Sequence, residues 1–122
     1  MIVDDHSDLR DAITVLLEDE GYVVADAGDG VEALAYLRSG ATVSAMLVDL
    51  AMPIMDGWDF LATCRLDPVW SRIPTIVLTG VDVGNRRRQE LGDVVIFTKP
   101  FNFDELLATV RRLMIRPASR ST

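Results

Sequence analysis

Five side chains in this sequence could do chemistry together: the adjacent acids Asp4 and Asp5, a third acid at Asp49, the hydroxyl of Thr79 and the ammonium of Lys99. Each stands where an apolar run ends. Ala45 to Val48 stops at Asp49 and turns sharply through Leu-Ala-Met-Pro-Ile-Met-Asp-Gly57, Thr75-Ile-Val-Leu ends at Thr79, and Val94 to Phe97 runs into Thr98-Lys99-Pro100-Phe101. Such runs read as buried parallel strands, and open α/β sheets bind ligands at the carboxyl ends of their strands. Three carboxylates gathered there raise one another's pKa, so they stay together only around a cation. With no His or Cys ligand in prospect, a hard ion suits the pocket. Mg²⁺ takes few carboxylates, keeps waters and completes its octahedron with phosphate oxygens. Lys99 is the sole lysine beside eleven arginines, which suggests a place that needs a compact charge rather than a planar fork. An oxygen of Asp49 could then act as nucleophile toward a phosphoryl group positioned by the metal and Lys99, forming an acyl phosphate that Thr79 hydrogen-bonds.

The elements that position these groups follow from the rest of the chain. Its 122 residues, about half of them apolar, make one domain with a single core. A net charge of −7 argues against a nucleic-acid surface. The run Arg86-Arg87-Arg88 covers three directions of a helix and reads as a solvated face. A single cysteine, Cys64, excludes an internal disulfide and, at helical spacing from Phe60 and Leu61, reads as core. No apolar run reaches the ~20 residues of a membrane span and no signal-peptide pattern is present, so a cytoplasmic protein without membrane contact is expected.

Only three residues precede Asp4, so the first strand either begins on its first residue or has lost its start. Ser7 can cap a helix carrying Leu9, Ala12, Ile13, Leu16 and Leu17 to Gly21. Tyr22 to Ala27 reads as a second strand, and Asp29 can cap a helix with Val31, Leu34, Ala35 and Leu37. Gly57 is read as a residue whose turn conformation is costly for others, ahead of a helix from Trp58 to Arg65. A loop from Gly80 to Asn85 and a short helix to Leu91 precede the fifth strand, Val94 to Phe97. Asn102 and Glu105 form a capping pair for the last helix, lined by Phe103, Leu106, Leu107, Val110 and Leu113. Residues 1–115 form the domain, and 116–122 are a polar tail or linker stump. Five strands alternating with five helices require right-handed crossovers and a doubly wound α/β sheet with helices on both faces.

Taken in order, Val3-Asp4-Asp5, Asp49 in Val-Asp-Leu-Ala-Met-Pro-Ile-Met-Asp-Gly, Leu78-Thr79-Gly80 and Thr98-Lys99-Pro100-Phe101 resemble the receiver domain of two-component response regulators, from Ile2 to about Met114. The resemblance implies a flavodoxin-like sheet of order 2-1-3-4-5, Asp49 as phosphoacceptor, and Mg²⁺ held by Asp4, Asp5, Asp49 and the backbone carbonyl of Ala51. It further implies Thr79 and Lys99 as readers of the phosphate and a cis peptide before Pro100. The donor would be a histidine kinase or phosphotransfer protein, and a downstream protein would dock on the fourth helix, fifth strand and fifth helix. The domain would catalyse only its own phosphoryl transfer and dephosphorylation.

Two positions depart from that pattern. Ile96 stands where the switch Tyr or Phe usually lies, and Phe97, one residue on, points to the opposite face. The span from Thr79 to Gly92 is about two residues short. A switch through Thr79, Gly80 and the following loop, with Ile96 packed in both states, is therefore expected. Of the rival readings, a haloacid dehalogenase type of enzyme needs a second Asp two residues after its nucleophile, where Ala51 stands. A non-phosphorylated binding module of the same fold usually lacks one of the acids or the lysine, and all are present. The lone His6 reads as a loop residue beside the acid pair.

Overall fold

The computed structural model describes residues 1–120, with side chains through Met114. In chain order the elements are β1 (Ile2–Val3), α1 (Ser7–Asp19), β2 (Asp26–Ala27), α2 (Gly30–Arg38), β3 (Met46–Asp49), α3 (Gly57–Arg65), β4 (Thr75–Thr79), α4 (Gly84–Leu91), β5 (Val95–Thr98) and α5 (Phe103–Arg120). A 3-10 turn, Trp70–Arg72, joins α3 to β4. The strands are all parallel and ordered β2-β1-β3-β4-β5.

Period-two alternation divides the core. Ile2, Leu47, Ile76 and Leu78 pack with Ile13, Leu17, Leu106 and Val110 of α1 and α5. Val3, Val48 and Val77 pack on the other face with Leu34, Phe60, Leu61 and Leu91 of α2, α3 and α4. Burying both faces explains why the strands read as continuous apolar runs. Ile96 is aligned with Val77 and joins the second face, whereas Phe97 joins the first and meets Phe101 edge-on at 5.9 Å. The parity argument from the sequence therefore holds in three dimensions.

Several local expectations change. The second strand shrinks from the expected Tyr22–Ala27 to Asp26–Ala27, because β1 offers only Ile2 and Val3 to pair with it. Ser7 is the first helical residue of α1 rather than its cap; His6 holds the cap position without a side-chain bond. Asp29 does cap α2, accepting from Glu32 N at 2.9 Å, and Asn102 accepts from Glu105 N at 3.0 Å. Asp56, unnoticed in the sequence, caps α3 through Asp59 N. The fifth strand lies one residue later than expected, at Val95–Thr98. The helical backbone of α5 reaches Arg120 and so includes residues 116–120, expected as a polar tail; residues 121 and 122 lie outside the described residues.

Gly57 is needed for space, not for turn conformation. A Cβ there would lie 2.3 Å from the Asp49 carbonyl oxygen and 2.7 Å from Leu50 Cα. The left-handed residue of the β3–α3 loop is instead Ile54, at φ 67°. The loop is tied back by Gly57 N to Leu50 O at 2.9 Å and by Gly30 N to Met55 O at 3.0 Å.

Candidate functional site

Register brings the strand ends together. Val3 is aligned with Val48 and Asp49 with Leu78, so Asp4 follows β1 beside Asp49, while Thr79 ends β4 one strand further on. Thr79 is aligned with Thr98, and Lys99 N donates to Thr79 O at 2.7 Å. The Lys99–Pro100 peptide is cis.

Asp4 is fully buried and Asp49 is 2 % exposed, while the side chain of Asp5 keeps 31 % of its surface in solvent. Lys99 Nζ donates to Asp4 Oδ2 at 3.1 Å and stands 3.5 Å from Asp49 Oδ2. Ala51 N–H reaches Asp49 Oδ1 at 3.3 Å. Asp49 Oδ2 itself is buried without a hydrogen-bond partner among the described residues. Burial foremost, then the charge of Asp4, pushes the Asp49 carboxyl above its ordinary value; Lys99 and the Ala51 N–H pull the other way and are outweighed. A buried acceptor left without a hydrogen bond costs about 1–3 kcal/mol, so a new partner at this oxygen would recover that cost.

Thr79 ends β4 at the same edge of the sheet, and its hydroxyl is hydrogen-bonded within its own loop. Its hydroxyl donates to Val81 O at 2.9 Å and accepts from Val81 N at 3.2 Å, closing the start of the loop on itself. Gly80 is exposed, and Ile96 is half-buried against the α2–α3–α4 face. Arg10 secures the floor from below: Nη1 donates to Asp4 O at 2.6 Å and Nε to Asp26 Oδ2 at 3.0 Å.

His6, read from the sequence as a loop residue beside the acid pair, has its ring against all three acids. His6 Nδ1 lies 3.1 Å from Asp4 Oδ1, 3.4 Å from Asp5 Oδ1 and 3.9 Å from Asp49 Oδ2. One ligand atom from each of Asp4, Asp5, His6 and Asp49 falls within 4.8 Å of the others. The backbone turn that does this is set by His6 N donating to Asp4 Oδ1 at 2.9 Å. Its only trace in the sequence is adjacency to the acid pair. The oxygen-rich donor set, with an orphaned carboxylate oxygen inside it, fits a hard divalent cation.

The comparisons with known proteins agree with this geometry. Residues 1–111 match the family model described as the response regulator receiver domain. The chain is 35 % identical to a transcriptional regulatory protein CpxR homolog of Haemophilus influenzae, over 99 % of this chain and 52 % of that protein. It is 37 % identical to the response regulator MprA of Mycobacterium ulcerans, over 95 % of this chain and 50 % of that protein. It thus spans about half the length of the curated relatives it matches. Among solved structures, the receiver domain of Francisella response regulator 1452 superposes with a TM-score of 0.84 at 30 % identity, covering 95 % of both chains. The receiver domain of the sensor histidine kinase PA1611 from Pseudomonas aeruginosa, solved with magnesium coordinated in its active-site cleft, gives 0.82 at 26 % identity over 93 % of both chains. A parallel 2-1-3-4-5 sheet, acids and a lysine converging at its carboxyl edge, and a family match over nearly the whole chain place this protein in the response regulator receiver domain family.

Proposed function

We propose that this domain is a phosphorylation-dependent switch of a two-component phosphorelay, accepting a phosphoryl group on Asp49 from a histidine kinase or phosphotransfer protein. The observation that carries the reading is the buried, unpartnered Asp49 Oδ2, held beside Asp4 and Lys99 at the strand ends. Asp4, Asp5, Asp49 and the Ala51 carbonyl would hold Mg²⁺, which when bound neutralises the carboxylates and the transferring phosphoryl oxygens.

Asp49 Oδ2 attacks the phosphorus of the donor's phosphohistidine; the new O–P bond forms as the N–P bond breaks, and the imidazole nitrogen keeps the electron pair and takes a proton from water. Lys99, already 3.5 Å from Oδ2, gives its charge to a phosphoryl oxygen. Thr79 releases Val81 O and donates to another, so the loop that its hydroxyl now closes is freed to move. The same residues, with water as attacking group, return Asp49 to its free form. The domain works in the cytoplasm, and a downstream protein reads α4, β5 and α5. Several relatives are transcriptional regulators; the acidic balance of this chain assigns any contact with nucleic acid to other segments.

Incubation with acetyl phosphate and Mg²⁺, followed by intact-mass measurement, tests the reading. One phosphoryl group should appear, removed by hydroxylamine and absent from Asp49→Asn. A wild-type chain that stays unmodified would instead identify a binding module that works without phosphorylation.

A further inference from the structure

The loop that leaves Asp49 is strained. Met55 N donates to Pro53 O at 2.7 Å across Ile54, whose φ of 67° gives this three-residue turn its rare, costly hand. Such a backbone persists only where its surroundings over-determine it, and Ile54 is 83 % exposed, so the restraint comes from elsewhere. Gly57 N and Leu50 O close the neck of the loop, and Met52 is buried in the core beyond it. Among the described residues, one backbone–backbone hydrogen bond ties residues 51–55 to another element: Gly30 N, at the first residue of α2, donates to Met55 O at 3.0 Å. The Met55 side chain lies on the same glycine. A Cβ added to Gly30 would stand 2.5 Å from Met55 Cγ and 2.8 Å from Sδ. Gly30 lies outside the left-handed region, so glycine is required here by the methionine and not by the backbone.

We infer that Gly30 is a positioning residue for the phosphoacceptor site: the first residue of α2 latches the strained loop through Met55 and so sets where the Ala51 carbonyl stands relative to the three acids. The inference rests on the Mg²⁺ site proposed above and adds to it a residue from an element that supplies no ligand. Groups that orient a ligand without touching the ion commonly change affinity by about 10–100-fold when altered. Alanine is a better helix former than glycine, so Gly30→Ala harms the domain only through its collision with Met55.

The test is a calorimetric titration with Mg²⁺ of wild type, Gly30→Ala, Met55→Ala and the double variant, with urea unfolding of each. Gly30→Ala should weaken Mg²⁺ binding by about tenfold. Met55→Ala keeps the backbone bond to Gly30 and should weaken it less. In the double variant Cγ and Sδ are gone from the collision, and affinity should return to within about threefold of wild type. A merely structural glycine would lower stability and leave the Mg²⁺ affinity of the folded protein unchanged; that result overturns the inference, as does a double variant that binds no better than Gly30→Ala. Should Gly30→Ala not fold, hydrogen exchange of wild type decides. Linkage is reciprocal, so saturating Mg²⁺ should slow exchange of the Gly30 amide, and an amide indifferent to Mg²⁺ overturns the latch. A wild type that binds no Mg²⁺ overturns the metal site and the inference with it, and is told apart from the other outcomes because wild type itself fails.

Discussion

Gly57 and Asp49 share one small volume: a Cβ on the glycine would lie 2.3 Å from the aspartate's carbonyl oxygen. The start of α3 is thereby pressed against the backbone that aims the Asp49 carboxylate. Gly57→Ala should force the two apart, destabilising the domain by about 1–3 kcal/mol or more, as overpacking does. It should also slow phosphorylation beyond what the lost stability explains. Urea denaturation and acetyl phosphate labelling of the folded fraction check both; a variant of wild-type stability would show that the loop yields freely.

Asp49 sets a pH dependence opposite to that of a paired surface carboxylate, because burial foremost and then the charge of Asp4 raise its pKa. Its folded pKa is raised, so between the ordinary carboxylate value of 3.8 and the raised one the native state holds a proton that the unfolded state has lost. Stability in metal-free buffer should therefore fall as pH rises from 3.8 through that window. Asp49→Asn should flatten this part of the profile and stabilise the neutral-pH domain by about 1–3 kcal/mol, the usual cost of a buried polar group left unsatisfied. Thermal melts of both proteins in chelator from pH 4 to 8 measure the difference; parallel profiles would contradict it.

Switching should proceed without an aromatic rotor. Two or three charge-assisted hydrogen bonds at about 1.5–3 kcal/mol each cover the roughly 5.5 kcal/mol needed to invert a two-state element. Beryllofluoride, a phosphoryl mimic, should shift residues 80–91 strongly in wild type and Ile96→Ala but not in Thr79→Ala. A response lost in Ile96→Ala and kept in Thr79→Ala would transfer the switch to β5.

Cys64 is closed to chemistry in the native state. Burial foremost, with the charge of Asp67 adding to it, pushes its thiol up to about 11, and it packs inside the α2–α3–α4 core. At pH 8 a disulfide reagent should label it at the rate of unfolding rather than of thiol exchange, and urea should accelerate labelling steeply. Rapid labelling in native buffer would mean that α3 opens locally.

The convergence of Asp4, Asp49, Thr79 and Lys99 was legible because each halts an apolar run, and parallel strands that share a register bring such ends together. The opposite facing of Ile96 and Phe97 was legible for the same reason. What escaped depends on partners that one segment cannot reveal. The extent of β2 is limited by the two residues of β1, and His6 enters the site through a turn closed by Asp4. The need for Gly57 comes from a backbone atom eight residues earlier. The 3-10 turn at Trp70–Arg72 is too short to carry a period at all.

The slight attachment of α4 has a consequence for proteolysis. Leu91 is its single buried residue, helped by Arg87 stacked 3.8 Å over the Trp58 ring and by Arg65 on the Glu90 carbonyl. Arg86, Arg87 and Arg88 are three consecutive trypsin sites on that helix. Local opening here takes far less free energy than global unfolding, so the first tryptic nick should fall in α4 while the sheet is intact. Because the loop leading into α4 is closed by Thr79 on Val81, the rate of that nick becomes a clock for the site some distance away, running at a different pace when Thr79 has found another partner.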